Sequence, residues 1–351
     1  MKFKTPMEKA SHPKANKLST YRMLPVRYFS MKNWSFTLIL LFAIGISNPL
    51  HAKTNLSFAT LSPKSTIWGG LIRNIVREVY TKSEKEVLIR VYYGGVQGDE
   101  SEMKDKITLG QLDGGFFTGN GLGALAEEIR ILEIPGLIKD YEAASKIYTA
   151  MLDDFNRYFN KKGYELLGIS ELGFAYFYSK KPIPSLADIR KTRMWLWKGD
   201  AFAGSIMKTL NIPIVAVSFT EVLPSLQTGL IDGVYATPTG LLSLEWQNEV
   251  NYMLDLPLTL VSSGIVLSKK KWDTLSPNHQ EIIRNAVRTH LERYKPILHK
   301  KEEESLAAIK KINIKLLSSR ENLTDLRKKS DKIINKFPPT LKTRIQNLLY
   351  K

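Results

Sequence analysis

The chain has 351 residues and a formal net charge of +17, with 43% hydrophobic and 24% charged residues and no cysteine. That length exceeds one small core and predicts two domains, while the missing cysteines exclude disulfides, thiolate catalysis and cysteine zinc sites. The composition is globular, with no low-complexity block.

Residues 1–52 read as a leader. "MKNWSFTLILLFAIGISNPLHA" starts with Met31 and Lys32, runs apolar from Phe36 to Ile46, and ends on Pro49 and Ala52. A basic start, an apolar run too short to span a bilayer and a small closing residue make a signal peptide with cleavage near Ala52. Residues 1–30 are a basic extension upstream of a credible start methionine. Export places the remainder in the periplasm with 43 basic against 33 acidic residues, about +10. Much of that excess lies from Lys300 onward, where 14 basic residues face 6 acidic ones. An exported chain without basic–aromatic motifs is a poor nucleic-acid binder, and the surplus reads as a solvated helical surface.

In chain order, "LSFATL" alternates as a strand and the stretch from Ser62–Pro63 opens a helix striped with Ile67, Leu71, Ile75, Val76 and Val79. "EVLIRVYY" is a strand. A short amphipathic helix carrying Met103, Ile107 and Leu109 stops at Gly110, and "QLDGGFF" enters the next strand. A helix ("YEAASKIYTAMLDDFNRYFNKKG") and a long strand-like run ("YELLGISELGFAYFYSKKPI") follow. The same order then recurs: strand "TRMWLW", helix "DAFAGSIMKTLN", strand "IPIVAV", a helix capped by Ser218 and Glu221 and ended by Gly229, then strand "LIDGVYAT". "GIVLSKKKWDTL" returns to the first lobe, and Ser276–Pro277 opens a long helix crossing both lobes, bent or broken around Pro296.

One phrase is written twice, about 120 residues apart: Gly110, Leu112, Asp113, Gly114 and Gly229, Ile231, Asp232, Gly233. Each is a helix cap, a tight connection and a strand entry, once per lobe. The fold is therefore α/β with two similar lobes and largely parallel sheets. Residues 53–173 with 262–300 form lobe I, and 174–261 with 301–351 form lobe II, with a hinge and a cleft between them.

Catalytic apparatus is thin. His279, His290 and His299 lie along one helix at spacings of 11 and 9, which fit no metal-ligand pair, and they read as surface or helix-end residues. No nucleophile elbow, phosphate loop or dinucleotide fingerprint occurs. Asp113 and Asp232 read as turn residues rather than paired catalytic carboxylates. Neither a cofactor, a metal nor an enzyme is indicated. Aromatic residues instead gather near strand ends and turns: Trp68, Phe117, Phe174, Trp195, Trp197 and Tyr235. Open α/β sheets bind ligands beyond the carboxyl ends of their strands.

The stretches "GGVQGDESEMKDKITLGQLDGG", "ILEIPGLIKDYEAASKIY", "SLADIRKTRMWLW", "VSFTEVLPSLQTGLIDGVYATP" and "VLSKKKWDTLSP" resemble the substrate-binding proteins of TRAP transporters, the dicarboxylate-binding type, over residues 55–310. The resemblance implies a type II-like two-lobed periplasmic binding protein, monomeric, that closes on a solute and presents it to the small and large membrane subunits of a permease. It also marks departures. The family's carboxylate-clamping arginine falls on Trp195, with Arg193 two residues out of register. A second basic position falls on Ala175, and the usual asparagine before proline is Thr237.

A buried carboxylate without a cation costs several kcal/mol, whereas burying about 200 Å² of apolar surface supplies roughly 5 kcal/mol before losses. The expected ligand is therefore apolar or amphipathic, including aromatic and aliphatic acids. Trp195, Trp197, Phe117, Phe174, Tyr235 and Trp68 form the walls, and Thr118 or Thr237 offers a polar contact. Two further readings remain open: a sensing receptor docking to a signalling protein, and a carboxylate or dicarboxylate binder using another cation.

Overall fold

The computed structural model describes residues 53–320 and 322–349; the leader and its cleavage point lie outside the described residues. Strands β1 (Thr54–Thr60), β2 (Val87–Tyr92) and β3 (Gly114–Thr118) pair in parallel, with β1 in the middle. Helices α1 (Ile67–Lys82), α2 (Glu100–Thr108) and α3 (Gly119–Leu125) belong to this half, and α4 (Tyr141–Lys161) packs beside it. The first helix starts at Ile67, later than Ser62–Pro63 suggests, because the Thr66 side chain accepts the Gly69 N–H. A complete capping box, Asp99 with Glu102, opens α2. The α4 stripe Ile147, Met151, Phe155 and Phe159 is buried in the first core cluster, each large side chain contributing about 1.5–3 kcal/mol.

β4 (Tyr164–Ser179) is sixteen residues long and joins the two halves. It pairs antiparallel with β9 (Thr259–Ser268) from Tyr164 to Ala175, then with β7 (Gly233–Ala236) from Tyr176 to Ser179. The sheets are thus mixed: a chain that crosses between lobes and returns inserts β9 and β4 against the direction of their neighbours. β5 (Met194–Trp197) lies parallel to β6 (Ile214–Val217) and β7. β8 (Tyr252–Asp255) pairs with β4 and with β10 (Lys315–Ser318). Helices α5 (Ala201–Thr209), α6 (Val222–Gln227) and α7 (Pro238–Ser243) complete this half.

The repeated phrase behaves alike in both halves. Gly110 and Gly229 take φ of 73° and 72°, the left-handed cap that side chains disfavour. Asp113 accepts from the Ser57 N–H and hydroxyl, and Asp232 accepts from the Arg193 N–H and guanidinium. Each aspartate therefore ties the entry of one strand to its neighbour. Gly114 and Gly233 serve close approach: a Cβ would lie 2.4 Å from the Val266 carbonyl oxygen in one and 2.6 Å from that of Tyr178 in the other.

α8 (Pro277–Ile309) is capped by Ser276 and runs unbroken through Pro296. Ile283, Ala286, Val287 and Leu291 pack with Leu71, Ile75 and Val79 of lobe I, while Ser305 and Glu302 reach Thr239 in lobe II. Its histidines are not free surface residues: His279 and His290 are buried near Glu86 and Glu78, and His299 meets the buried Glu171 at 2.7 Å. The helix crosses β4 where a register shift falls between Glu171 and Gly173. Gly173 has φ of 122°, and a Cβ there would sit 2.5 Å from the Glu302 carboxyl group.

Residues 301–351, expected to travel with lobe II, divide between the halves. α9 (Leu323–Ile334) packs beside α5, and α10 (Pro339–Leu349) packs on α4. Leu341 and Ile345 are buried in the first core cluster, so hydrophobic burial holds the final helix to lobe I. Among the described residues no helix is long and apolar enough to cross a membrane.

Candidate binding site

The carboxyl ends of β1, β3, β5 and β7 meet around a cavity of about 270 Å³, near the lower end for small-molecule sites. Its two walls differ in chemistry.

Lobe II supplies rings. Trp195 and Trp197 project the same way from β5, their centroids 5.7 Å apart. Trp195 stacks on Tyr235 at 4.9 Å and meets Trp246 edge-on at 5.4 Å, while Trp197 stacks on Phe219 at 4.8 Å. Both indole N–H groups are committed, Trp195 Nε1 to the Val217 carbonyl and Trp197 Nε1 to Asp99. The pocket therefore meets carbon surface. On β4, Ala175 and Phe177 line it by strand alternation.

Lobe I supplies charge. Glu100, at the start of α2, accepts from the Thr118 N–H and hydroxyl and from the Gly121 N–H, all at 2.6–2.7 Å. Burial nevertheless pushes its carboxyl up to about 7, against those hydrogen bonds. Glu133 accepts the Ser262 N–H at 2.7 Å, and burial raises its pKa against the pull of Arg130. Arg130 Nη2 lies 3.3 Å from Glu133 and 3.0 Å from Asp200, which comes from lobe II at the start of α5. Burial opposes the guanidinium charge, but Glu133 and Asp200 together outweigh it and raise its pKa. The Phe202 ring lies under the guanidinium at 4.6 Å.

The glycines of "TGNGLG" make room for these charges. A Cβ at Gly119 would lie 1.9 Å from a Glu133 oxygen, one at Gly121 2.7 Å from the Glu100 carboxyl, and one at Gly123 2.6 Å from the Arg130 stem.

Two polar bridges join the walls. Asp99 of lobe I accepts from Trp197 Nε1 at 2.9 Å and from the Phe219 N–H at 3.0 Å, and Arg130 donates to Asp200. Arg130 is the one cation among the residues lining the cavity. Two buried donors of residues that line it, Trp68 Nε1 and Arg130 Nε, have no hydrogen-bond partner among the described residues.

The cavity brings together Trp68, Phe117, Thr118, Ala175, Trp195, Trp197, Tyr235 and Thr237. Phe174 is not among them: alternation turns it to the other face of β4, where it packs 5.3 Å from Tyr141. Arg193 is also elsewhere. It precedes β5, binds Asp232 at 2.8 Å with its side chain half exposed, and donates to the Gly229 carbonyl. The threonine hydroxyls have internal work as well, Thr118 donating to Glu100 and Thr237 capping α7 at Gly240 N. Sequence reasoning missed Arg130, Glu133, Glu100 and Asp200. An arginine and a glutamate three apart inside the apolar run "IRILEIP" were the available signal.

Comparison with known proteins places the chain in a family. The family model for bacterial extracellular solute-binding protein, family 7, matches residues 58–339. The chain is 21% identical over 265 residues to the sialic acid-binding periplasmic protein SiaP of Vibrio cholerae, covering 73% of this chain and 80% of the relative. It is 21% identical over 250 residues to a solute-binding protein of Chromohalobacter salexigens, covering 71% and 74%. A TRAP periplasmic solute-binding protein of Xanthobacter autotrophicus Py2 with bound β-D-galacturonate superposes with a TM-score of 0.78 at 18% identity, over 84% of this chain and 98% of that one.

Proposed function

The chain belongs to the bacterial extracellular solute-binding proteins of family 7, the TRAP receptors, and from that premise we propose that its ligand is an uncharged, largely apolar small molecule. The observation that carries this reading is the state of Arg130. The one cation lining the cavity among the described residues is already shared by Glu133 and Asp200. An acid seeking the guanidinium would have to displace one of them, leaving a buried carboxylate unpaired at a cost of several kcal/mol. Trp195 and Ala175, where the family resemblance puts cations, offer an indole face and a methyl group. The fit is an aromatic or alicyclic body against Trp195, Trp197 and Phe219.

The sialic acid-binding relative and the structural neighbour with bound β-D-galacturonate take acids. This receptor takes a different solute within the same closing mechanism, and hands it to a TRAP-type permease after export and cleavage near Ala52. The test is a thermal-shift screen of the purified protein against succinate, D-glucuronate and benzoate beside p-cresol, indole and cyclohexanol. Stabilisation by the neutral ring compounds and none by the acids is expected. Strong stabilisation by succinate or glucuronate overturns the reading.

A further inference from the structure

We infer that Asp200 is a built-in counter-ion: it reaches across the cleft and occupies on Arg130 the place that the carboxylate of an acidic solute would take. It deepens, and rests on, the reading of a receptor for uncharged ligands, and names the residue that sets that preference. Three observations lead to it. Asp200 and Arg130 come from opposite lobes and meet at 3.0 Å with both side chains nearly fully buried. Arg130 has no other lobe II carboxylate among its ion-pair partners, since Glu133 lies on its own lobe three residues along. Asp200 is itself held in place, its other oxygen accepting the Ala203 N–H at 2.9 Å as the cap of α5.

A binding protein that closes on an acid obtains part of its closing energy from an ion pair completed by the ligand. Here the protein completes that pair itself. Closure then needs no negative charge from the solute, and an anion finds the guanidinium already occupied by Glu133 and Asp200. Selectivity against acids is thus achieved by an occupant as well as by the missing cations at positions 195 and 175.

The inference makes a chemical-rescue prediction. Asp200→Ala leaves a carboxylate-sized space opposite Arg130, so acetate and formate should raise the melting temperature of the variant saturably. Wild type should not respond, and sodium chloride of equal ionic strength should have no such effect. Arg130→Met/Asp200→Ala should lose the rescue. Equal response of wild type and Asp200→Ala to acetate, or rescue that survives loss of Arg130, overturns the inference. Should Asp200→Ala not fold, the isosteric Asp200→Asn serves: it should bind benzoate about tenfold or more tightly than wild type by calorimetry, and unchanged affinity counts against the proposal. Failure of the broader reading looks different, because there the unmodified protein itself binds acids in the thermal-shift screen.

Discussion

The two walls of the cleft teach different lessons about how a pocket acquires its chemistry. The lobe II wall is a set of rings on one strand and its neighbours, held by stacking and by backbone acceptors for their N–H groups. The lobe I wall adds to the rings of Trp68 and Phe117 three ionisable groups, Glu100, Arg130 and Glu133, each bonded to protein partners and seated against a helix of glycines. Apolar surface can be presented to a ligand directly. Buried charge must first be balanced, and once balanced it repels the charged solutes that it might otherwise attract.

The sharpest way to break the contrast is to unbalance the charged wall. Arg130→Met should cost about 3–5 kcal/mol in urea denaturation, because two buried carboxylates lose their cation; a loss under about 1 kcal/mol would show that neither depends on it. The same wall makes stability depend on pH. Burial pushes Glu100, and Glu302 on α8 outside that wall, up to about 7 from the usual 4.5, so the folded protein holds protons that the unfolded chain releases. Their contribution is complete below about pH 4.5 and disappears as pH rises through 7, so stability should fall by up to about 3 kcal/mol per group between those limits. Glu100→Gln should flatten that slope, measured as melting temperature against pH, and a slope of opposite sign would refute the assignment. On the aromatic wall, Trp197→Phe keeps an aromatic side chain but shrinks it and removes the N–H bonded to Asp99, at an expected cost of about 1–3 kcal/mol. The smallest effect belongs to Arg193→Ala, whose side chain is half exposed. Its denaturation midpoint should barely move and its ligand-screen profile should match wild type.

What was legible in the sequence follows the same divide. Strands, helices and the repeated cap-and-turn phrase are local patterns, and Gly110 and Gly229 perform local tasks, whereas the partners of Asp113 and Asp232 lie 56 and 39 residues away. The rings Trp195 and Trp197 were legible because two residues inside one strand must share a face. Arg193 failed the same logic: it stands before β5 begins, where alternation gives way to the pull of Asp232. Phe174 failed it on parity, since Ala175 and Phe177 take the pocket face of β4. The charged cluster was beyond local pattern altogether. Glu100 and Arg130 are seated by different elements of one half, Asp200 comes from the other, and no spacing in the chain announces a pair 70 residues apart.

The glycines of α3 carry a consequence for how this receptor tolerates change. Because Gly119 backs onto Glu133 and Gly123 onto the Arg130 stem, adding one methyl group there injures the ion pair without touching a charged residue. Gly119→Ala and Glu133→Asp should therefore show epistasis, the alanine being less harmful when the acid is a methylene shorter. If the proposed ligand preference holds, it rests partly on residues that have no side chain, and attempts to retarget it must treat that helix as part of the recognition code.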